Sequence, residues 1–271
     1  MSRMMAGLFT GILLSAGPSA QAQTSLSATQ TGLAVQLAAE RGRLLYAYDQ
    51  AAWHATDDLR TRYPQLIGQA GGYVVTGNAS QPQAVFFDKG KTVAIYRATF
   101  RDGRMLASGP VTEAERQLTP LEERMIDARD RSLAAFSRAK VGTCGNQTPN
   151  LAVLPPTTTD GAVTAYLLTP RTNMSTIPMG GHFSVEVRPD GSVGAVRSFA
   201  RSCLELPLAA PKGGTPEALM ASHLLDPTPT EIHVFGSLSA RLPIYVLTMS
   251  NKQLWAVSGS RIRLVDVNGG K

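Results

Sequence analysis

Cysteine is scarce in this chain, because the 271 residues contain only Cys144 and Cys203. In an exported chain, two cysteines most simply pair with each other. The loop that this disulfide would close holds about sixty residues, for which the chain-entropy model gives roughly 4 kcal/mol of stabilisation. The alternative is a nucleophilic Cys144 in the Thr-Cys-Gly-Asn loop 143–146. That thiol would need a histidine partner to lower its pKa, and the sequence assigns none.

Catalytic signatures are also missing. The chain contains no G-x-S-x-G, no P-loop, no dinucleotide-binding glycine motif and no H-E-x-x-H. Aspartate and glutamate are scattered, so no acid pair for glycoside chemistry can be nominated, and no fixed repeat occurs. These absences disfavour the standard enzyme classes without excluding an enzyme.

The charge is modest and evenly spread. The formal net charge is +6, and lysine and arginine are distributed along the chain instead of being massed in a tail. Without a basic-aromatic module or a zinc-finger pattern, we expect no nucleic-acid partner. A basic exported protein can bind anionic surfaces, but a net charge of this size is also typical of a protein that it merely keeps in solution.

The first 22 residues have the pattern of a secretory signal peptide. Arg3 supplies the positive start, residues 6–16 are apolar or small, and Ala20-Gln21-Ala22 is a small-x-small cleavage site. The alternative, an uncleaved anchor, is disfavoured because the apolar run of about eleven residues is too short to span a bilayer. No later segment is long and apolar enough to do so. We therefore predict a periplasmic or secreted chain with no membrane span after cleavage.

The remaining sequence predicts two units, residues 23–140 and residues 141–271. Residues 31–62 are predicted as a long helix that ends before Pro64, with six apolar side chains near one face. Those side chains are Leu33, Leu37, Leu44, Tyr48, Ala51 and Ala55. Residues 71–108 change to strand periodicity and carry hairpin-type turns at 88–91 and 101–104, which indicates an antiparallel meander.

A second helix is predicted from Thr119-Pro120-Leu121-Glu122 to about Lys140. Threonine at the N-cap, proline at the first helical position and glutamate three residues after the cap form the signature of a capping box. Residues 141–150 are a turn-rich joint between the two units.

The second unit is predicted to consist mainly of strands. A strand is expected at 163–168, and a hairpin at 182–199 around the turn 188–191. Residues 215–223 look like a short helix. Thr228-Pro229-Thr230-Glu231 repeats the capping signature and should open a helix that Pro243 stops. Strands are then expected at 244–248, 254–257 and 262–267.

The whole pattern predicts an α+β fold. It consists of a long N-terminal helix, an antiparallel β-meander and a second helix, followed by a C-terminal unit of β-hairpins around a capped helix.

The most suggestive stretch places His223, Asp226, Glu231 and His233 within eleven residues. Histidine and carboxylate side chains are common zinc ligands. A plainer interpretation is also available: the capping box explains Glu231, Asp226 before Pro227 is an ordinary turn residue, and the two histidines need not face one another. His182, on the polar face of its predicted strand, is a further candidate for ligand contact.

This stretch resembles the JAMM/MPN metalloprotease family. That family carries a His-x-His pair at a strand end, then a Ser-x-x-Asp whose aspartate opens a helix and completes a zinc site. Residues 228–231 stand where Ser-x-x-Asp would, and 243–246 where the next strand would. Here Ala221 occupies the first histidine position, the spacing to Glu231 is shorter, and glutamate replaces aspartate. The resemblance implies a JAMM-like fold that has lost its zinc.

Three functions stay open at this level. The first is a non-catalytic binding or interaction protein of the bacterial envelope, with an envelope protein or a small ligand as partner and no cofactor. The second is a JAMM-type metal-dependent hydrolase with a degenerate zinc site drawn from His182, His223, Glu231 and His233. The third is a subunit that pairs through its first helix, which an exposed stripe of Leu33, Leu37 and Leu44 would support.

Overall fold

The computed structural model describes residues 26–209, 214 and 216–266. Within these ranges the chain forms three α-helices and fourteen β-strands. The predicted α+β class is confirmed, with the long helix at the N-terminal end. The predicted signal peptide, residues 1–22, lies outside the described residues.

Helix α1 spans Ala28–Arg62 and begins three residues before the predicted start. Ser27 and Gln30 form a capping box, because the Gln30 N–H donates to Ser27 Oγ and the Ser27 N–H donates to Gln30 Oε1. The helix ends before Tyr63 and Pro64, as expected from the missing proline N–H.

The first sheet is the predicted antiparallel meander, with strand order β1-β2-β3-β4. Its strands are β1 (Ala70–Asn78), β2 (Gln81–Asp88), β3 (Ala94–Arg101) and β4 (Arg104–Pro110). The second half of α1 packs against this sheet and buries Tyr48, Ala51, Ala55 and Leu59. The hydroxyl of Tyr48 donates to the carbonyl oxygen of Gly77 at 2.7 Å, which fixes the helix to β1.

Helix α2 spans Pro120–Arg138 and begins as predicted. The Thr119 N–H donates to Glu122 Oε2 at 2.8 Å, and the Glu122 N–H donates to Thr119 Oγ1 at 3.2 Å. Glu122 is 2% exposed and also accepts two hydrogen bonds from the Arg97 guanidinium of β3, at 2.5 and 3.1 Å. The helix start is therefore tied to the meander.

Six short strands follow α2. They form a sheet in the order β5-β6-β8-β9 and a separate β7-β10 ribbon. The strands are β5 (Asn150–Leu154), β6 (Val163–Leu168), β7 (Thr176–Pro178), β8 (Phe183–Val187), β9 (Arg197–Ser198) and β10 (Glu205–Pro207).

The second arm of the predicted 182–199 hairpin is mostly not a strand. After the turn, Val193 makes one bridge to Val187, and the chain then leaves the ladder until Arg197. Gly194 lies at the departure point, and a glycine with no side chain to pack weakens a strand.

Cys144 and Cys203 form the predicted disulfide, with their Cα atoms 5.5 Å apart. The bond joins the joint after α2 to the segment before β10. Disulfides are typical of chains that fold in oxidising compartments.

The C-terminal part forms a third sheet, in the order β11-β12-β13-β14, around helix α3. The elements are β11 (Leu219–His223), α3 (Glu231–Ala240), β12 (Ile244–Thr248), β13 (Gln253–Ser258) and β14 (Arg261–Leu264). Strands β11 and β12 are parallel, so α3 is the crossover of a βαβ unit, while β12, β13 and β14 pair antiparallel.

The short helix predicted at 215–223 is wrong, because residues 219–223 are β11. Leu219, Ala221 and His223 are buried, whereas Met220 and Ser222 are exposed. Such alternation has the two-residue period of a strand. The backbone of β12 supplies the hydrogen-bond partners of β11, whereas a short helix would have to form its backbone hydrogen bonds internally.

Both predicted units contribute to one hydrophobic core. Helix α1 connects the two units. Its second half packs on the meander, and it crosses α3 at Gly42. A Cβ atom at Gly42 would lie 2.4 Å from Val234 Cβ and 2.7 Å from the Glu231 carbonyl oxygen, so only glycine permits this approach. No helix in the described ranges is long and apolar enough to cross a bilayer.

Candidate functional site

The candidate residues gather where β11 ends and α3 begins. His223 is the last residue of β11, and the loop from 224 to 230 leads into the helix. The carboxyl ends of parallel strands are where open α/β sheets usually bind ligands. This region is also rich in buried polar side chains, each 6% exposed or less: His223, Thr228, Thr230, Glu231 and His233.

The start of α3 differs from the prediction. The N-cap is Thr230, not Thr228, and the residue that reaches back to it is His233 instead of Glu231. The Thr230 N–H donates to His233 Nδ1 at 3.0 Å. The explanation of Glu231 by a capping box is therefore wrong, and its carboxylate has a different role.

Glu231 bonds to the second sheet. The Tyr166 hydroxyl of β6 donates to Glu231 Oε1 at 2.9 Å. Tyr166 is fully buried and stacks against Phe199, with ring centroids 6.1 Å apart. Burial, with the nearby Glu231 charge, holds the pKa of Tyr166 well above its usual range. The tyrosine is therefore a permanent donor, and Glu231 fixes α3 to β6.

His223 pairs with a carboxylate at the surface. Its Nε2 lies 2.9 Å from Asp226 Oδ2, and Asp226 Oδ1 accepts from the Arg197 guanidinium at 2.9 Å. Burial acts to raise the pKa of Asp226, but the hydrogen bond from His223 and the charge of Arg197 outweigh it and lower that pKa. Asp226 is thus an ionised bridge between β9 and the end of β11.

The two histidines of the cluster touch. The rings of His223 and His233 meet edge to face, with centroids 4.7 Å apart. Burial, followed by the proximity of His223, lowers the pKa of His233 to about 3. His233 is therefore neutral at physiological pH, as it must be for Nδ1 to accept the Thr230 N–H.

His182 lies in the core, at 0% exposure. Its Nδ1 accepts from the Thr169 N–H at 3.3 Å, and its Nε2 lies 3.0 Å from the Pro178 carbonyl oxygen, to which it donates. Burial lowers the pKa of His182 to about 4. Both ring nitrogens are thus engaged by the backbone, and this histidine joins the end of β6 to the end of β7.

The side chains do not form a zinc site in this arrangement. A catalytic zinc needs three protein ligands around one point. Instead, Glu231 turns to Tyr166, His233 uses Nδ1 for its helix cap, and His182 is bonded through both nitrogens. Across the described ranges, no three His, Cys, Asp or Glu side chains are grouped to hold a metal ion.

Tyr166 and Arg197 were missed from the sequence. Tyr166 lies in the fully buried strand β6, and a tyrosine in such a run signals a hidden hydrogen-bond partner. Arg197 carried no signal, because its partner Asp226 is 29 residues away and the two meet only through the fold.

Two concave features lie elsewhere. An open depression of about 410 Å³ runs beside the second half of α1, with His54, Asp58, Arg62 and Met105 in its wall. A small gap between α1 and strands β1 and β5 contains Asp49 and Tyr73. Neither feature includes a residue of the β11–α3 cluster.

In comparisons with known proteins, the chain matches no family model, no curated protein and no solved structure.

Proposed function

We propose that this chain is an exported component of the bacterial envelope that acts by binding and not by catalysis. The observation that carries the proposal is that the four candidate ligand side chains are all engaged by partners within the protein. His182, His223 and Glu231 each bond to a residue outside their own helix or strand, and His233 bonds to the helix cap at Thr230. Such a cluster has the character of a structural polar network.

Two features support an exported location. The first 22 residues have the charge, the apolar run and the small-x-small site of a signal peptide. The disulfide between Cys144 and Cys203 suits a periplasmic or secreted chain, because cytosolic thiols are kept reduced.

A degenerate JAMM-type hydrolase is the second candidate. It is favoured by the position of His223 and Asp226, which lie at the carboxyl end of a parallel strand and beside a helix N-terminus. In that case, zinc would require His233 or Glu231 to leave its present partner.

Elemental analysis of the purified signal-free protein separates the two candidates. Wild type is compared with His223→Ala and with a control, His54→Ala, which alters an exposed histidine on α1. We expect less than about 0.1 zinc atoms per chain in the wild type and in both variants, because the side chains lack a three-ligand centre. Near-stoichiometric zinc that is lost in His223→Ala and retained in His54→Ala would overturn the binding proposal.

A further inference from the structure

The first half of α1 carries apolar side chains on two opposite faces. One face contains Val35 and Ala38 and packs toward the body of the protein. At about 100° per residue, Leu33 and Leu37 lie roughly 160° away from Val35. Leu33 is 62% exposed and Leu37 is 42% exposed. A helix that only covered its own core would place polar residues there.

The exposed face continues a buried one. Leu33, Leu37 and Leu44 fall on the same side of the helix as four residues that lie under the meander in its second half. Those four are Tyr48, Ala51, Ala55 and Leu59. Leu44, half-buried, marks the border between the two parts. The apolar stripe is therefore continuous along α1, but the sheet covers only its second half.

We propose that a second copy of this chain covers the uncovered half, through the same stripe and in antiparallel orientation. Within the helix the stripe is symmetric about position 35, because Leu33 and Leu37 lie two positions either side of it. A two-fold axis at this position sets each residue opposite its counterpart, which is the condition for an isologous interface. The inference names the partner of the proposed binding function and rests on it.

The polar residues within the stripe favour the antiparallel orientation. Gln30 and Glu40 lie five positions either side of the axis, so each Gln30 faces the partner's Glu40. Gln30 uses Oε1 to accept the Ser27 N–H, which leaves its amide NH₂ to donate to the facing carboxylate. Parallel helices would instead set Glu40 opposite Glu40, and facing like charges destabilise an interface.

Sedimentation velocity of the signal-free chain, residues 23–271, tests the pairing over a concentration series. We expect a wild-type dimer, and a dissociation constant raised on the order of 100-fold or more in Leu33→Glu/Leu37→Glu. The control is Leu106→Glu/Leu264→Glu, which changes two leucines of similar exposure (58% and 53%) on strands β4 and β14. This control should dimerise like wild type.

Two results would overturn the pairing. The first is a wild-type chain that stays monomeric at every concentration. The second is a wild-type monomer that binds anionic lipid vesicles, when the Leu33→Glu/Leu37→Glu variant does not bind them. That result would assign this face to a membrane surface. Because neither result changes the zinc content of the chain, failure here is distinguishable from failure of the non-catalytic proposal.

Gln30→Glu is a milder probe that preserves the fold. Glutamate also serves in the capping box with Ser27, so the helix start is retained. Two carboxylates then face each other across the axis, and we expect a dimer roughly 10-fold weaker. A dimer of unchanged affinity would overturn this register.

Engineered cysteines test the orientation directly. Gln30→Cys and Glu40→Cys proteins are prepared separately, mixed and oxidised, and the products are separated on a non-reducing gel. The antiparallel register predicts a crosslink in the mixture and little in either protein alone. Crosslinking of Gln30→Cys with itself would overturn the antiparallel register in favour of a parallel one.

Discussion

The starts of α2 and α3 share one sequence pattern but are built differently. Residues 119–122 read Thr-Pro-Leu-Glu and residues 228–231 read Thr-Pro-Thr-Glu. At α2 the pattern gives the expected capping box between Thr119 and Glu122. At α3 the helix begins later, with Thr230 as its cap and His233 as the residue that reaches back.

Tertiary contacts explain the difference. At α2, Arg97 lies beside Glu122 and binds the carboxylate in the position that the box requires. At α3, Tyr166 binds Glu231 instead, and Gly42 brings α1 within contact of the Glu231 backbone. A capping box contributes about 1 kcal/mol to helix stability. The buried Tyr166–Glu231 hydrogen bond and the packing of α1 on α3 at Gly42 are together sufficient to outweigh it and to select a later helix start.

The largest effect is expected at Arg97. Arg97→Met removes both hydrogen bonds to Glu122 and leaves a carboxylate buried without its cation, which costs about 3–5 kcal/mol. Urea unfolding gives the free energy of unfolding. Arg116→Met is the matched control, because Arg116 pairs with the exposed Glu113 and should cost under about 1 kcal/mol. Equal losses in the two variants would show that Arg97 does not secure the α2 start.

Gly42→Ala should destabilise the protein although alanine favours helices. The added methyl group would press on Val234 and on the Glu231 backbone, at a cost of about 1–3 kcal/mol. Gly32→Ala in the same helix meets no atom within 4 Å and should stabilise by up to about 1 kcal/mol. Thermal unfolding compares the two variants. A stabilising Gly42→Ala would mean that α1 does not constrain the start of α3.

Acid should weaken α3 before α2. The pKa of His233 falls from 6.5 to about 3 on folding, so between these values the unfolded chain binds a proton that the folded chain does not. The free energy of unfolding therefore decreases as pH falls, by about 2 kcal/mol between pH 6.5 and 5. At α2 the pKa of Glu122 is lowered, so its contribution persists through this range and is lost only as pH falls further.

Urea titrations at pH 7, 6 and 5 measure this slope. His233→Gln retains a side chain that can accept the Thr230 N–H but cannot titrate. The variant should lose part of the slope and not all of it, because His182, with a pKa of about 4, contributes in the same direction. A variant slope identical to that of wild type would contradict the assignment.

The smallest effect concerns the two threonines that begin the shared pattern. Thr119→Val removes the capping hydroxyl at nearly constant shape and should cost about 1 kcal/mol. Thr228 lies before the α3 cap, and its hydroxyl makes no hydrogen bond among the described residues. Thr228→Val should therefore cost less than about 0.5 kcal/mol. Equal costs, measured by urea unfolding, would restore Thr228 as the cap.

Local chemistry was readable from the sequence. The meander follows from alternating residues between glycine turns, α2 from its capping signature, and the disulfide from two cysteines in a chain that is predicted to be exported. The meander and α2 depend on residues that are close in sequence. The disulfide depends on the pairing of two cysteines, for which the sequence offers one combination.

Features that depend on distant residues were not readable. Strand β11 exists because β12 supplies its backbone partners, and Glu231 turns to Tyr166, which is 65 positions away in sequence. Of the candidate site, the sequence identified residues that do meet, since His223 contacts both Asp226 and His233. The sequence could not show that each of these side chains already forms a hydrogen bond within the fold.

The crossing at Gly42 also bears on how the chain is made. Gly42 and Val234 are almost two hundred positions apart, so α1 emerges long before the helix that packs on it. Contacts of such high sequence separation form slowly. During synthesis, the middle of α1 must therefore stay uncovered until α3 has been made. A truncated product that lacks α3 would expose this surface, so the folding of α3 onto α1 is the step that completes this part of the core.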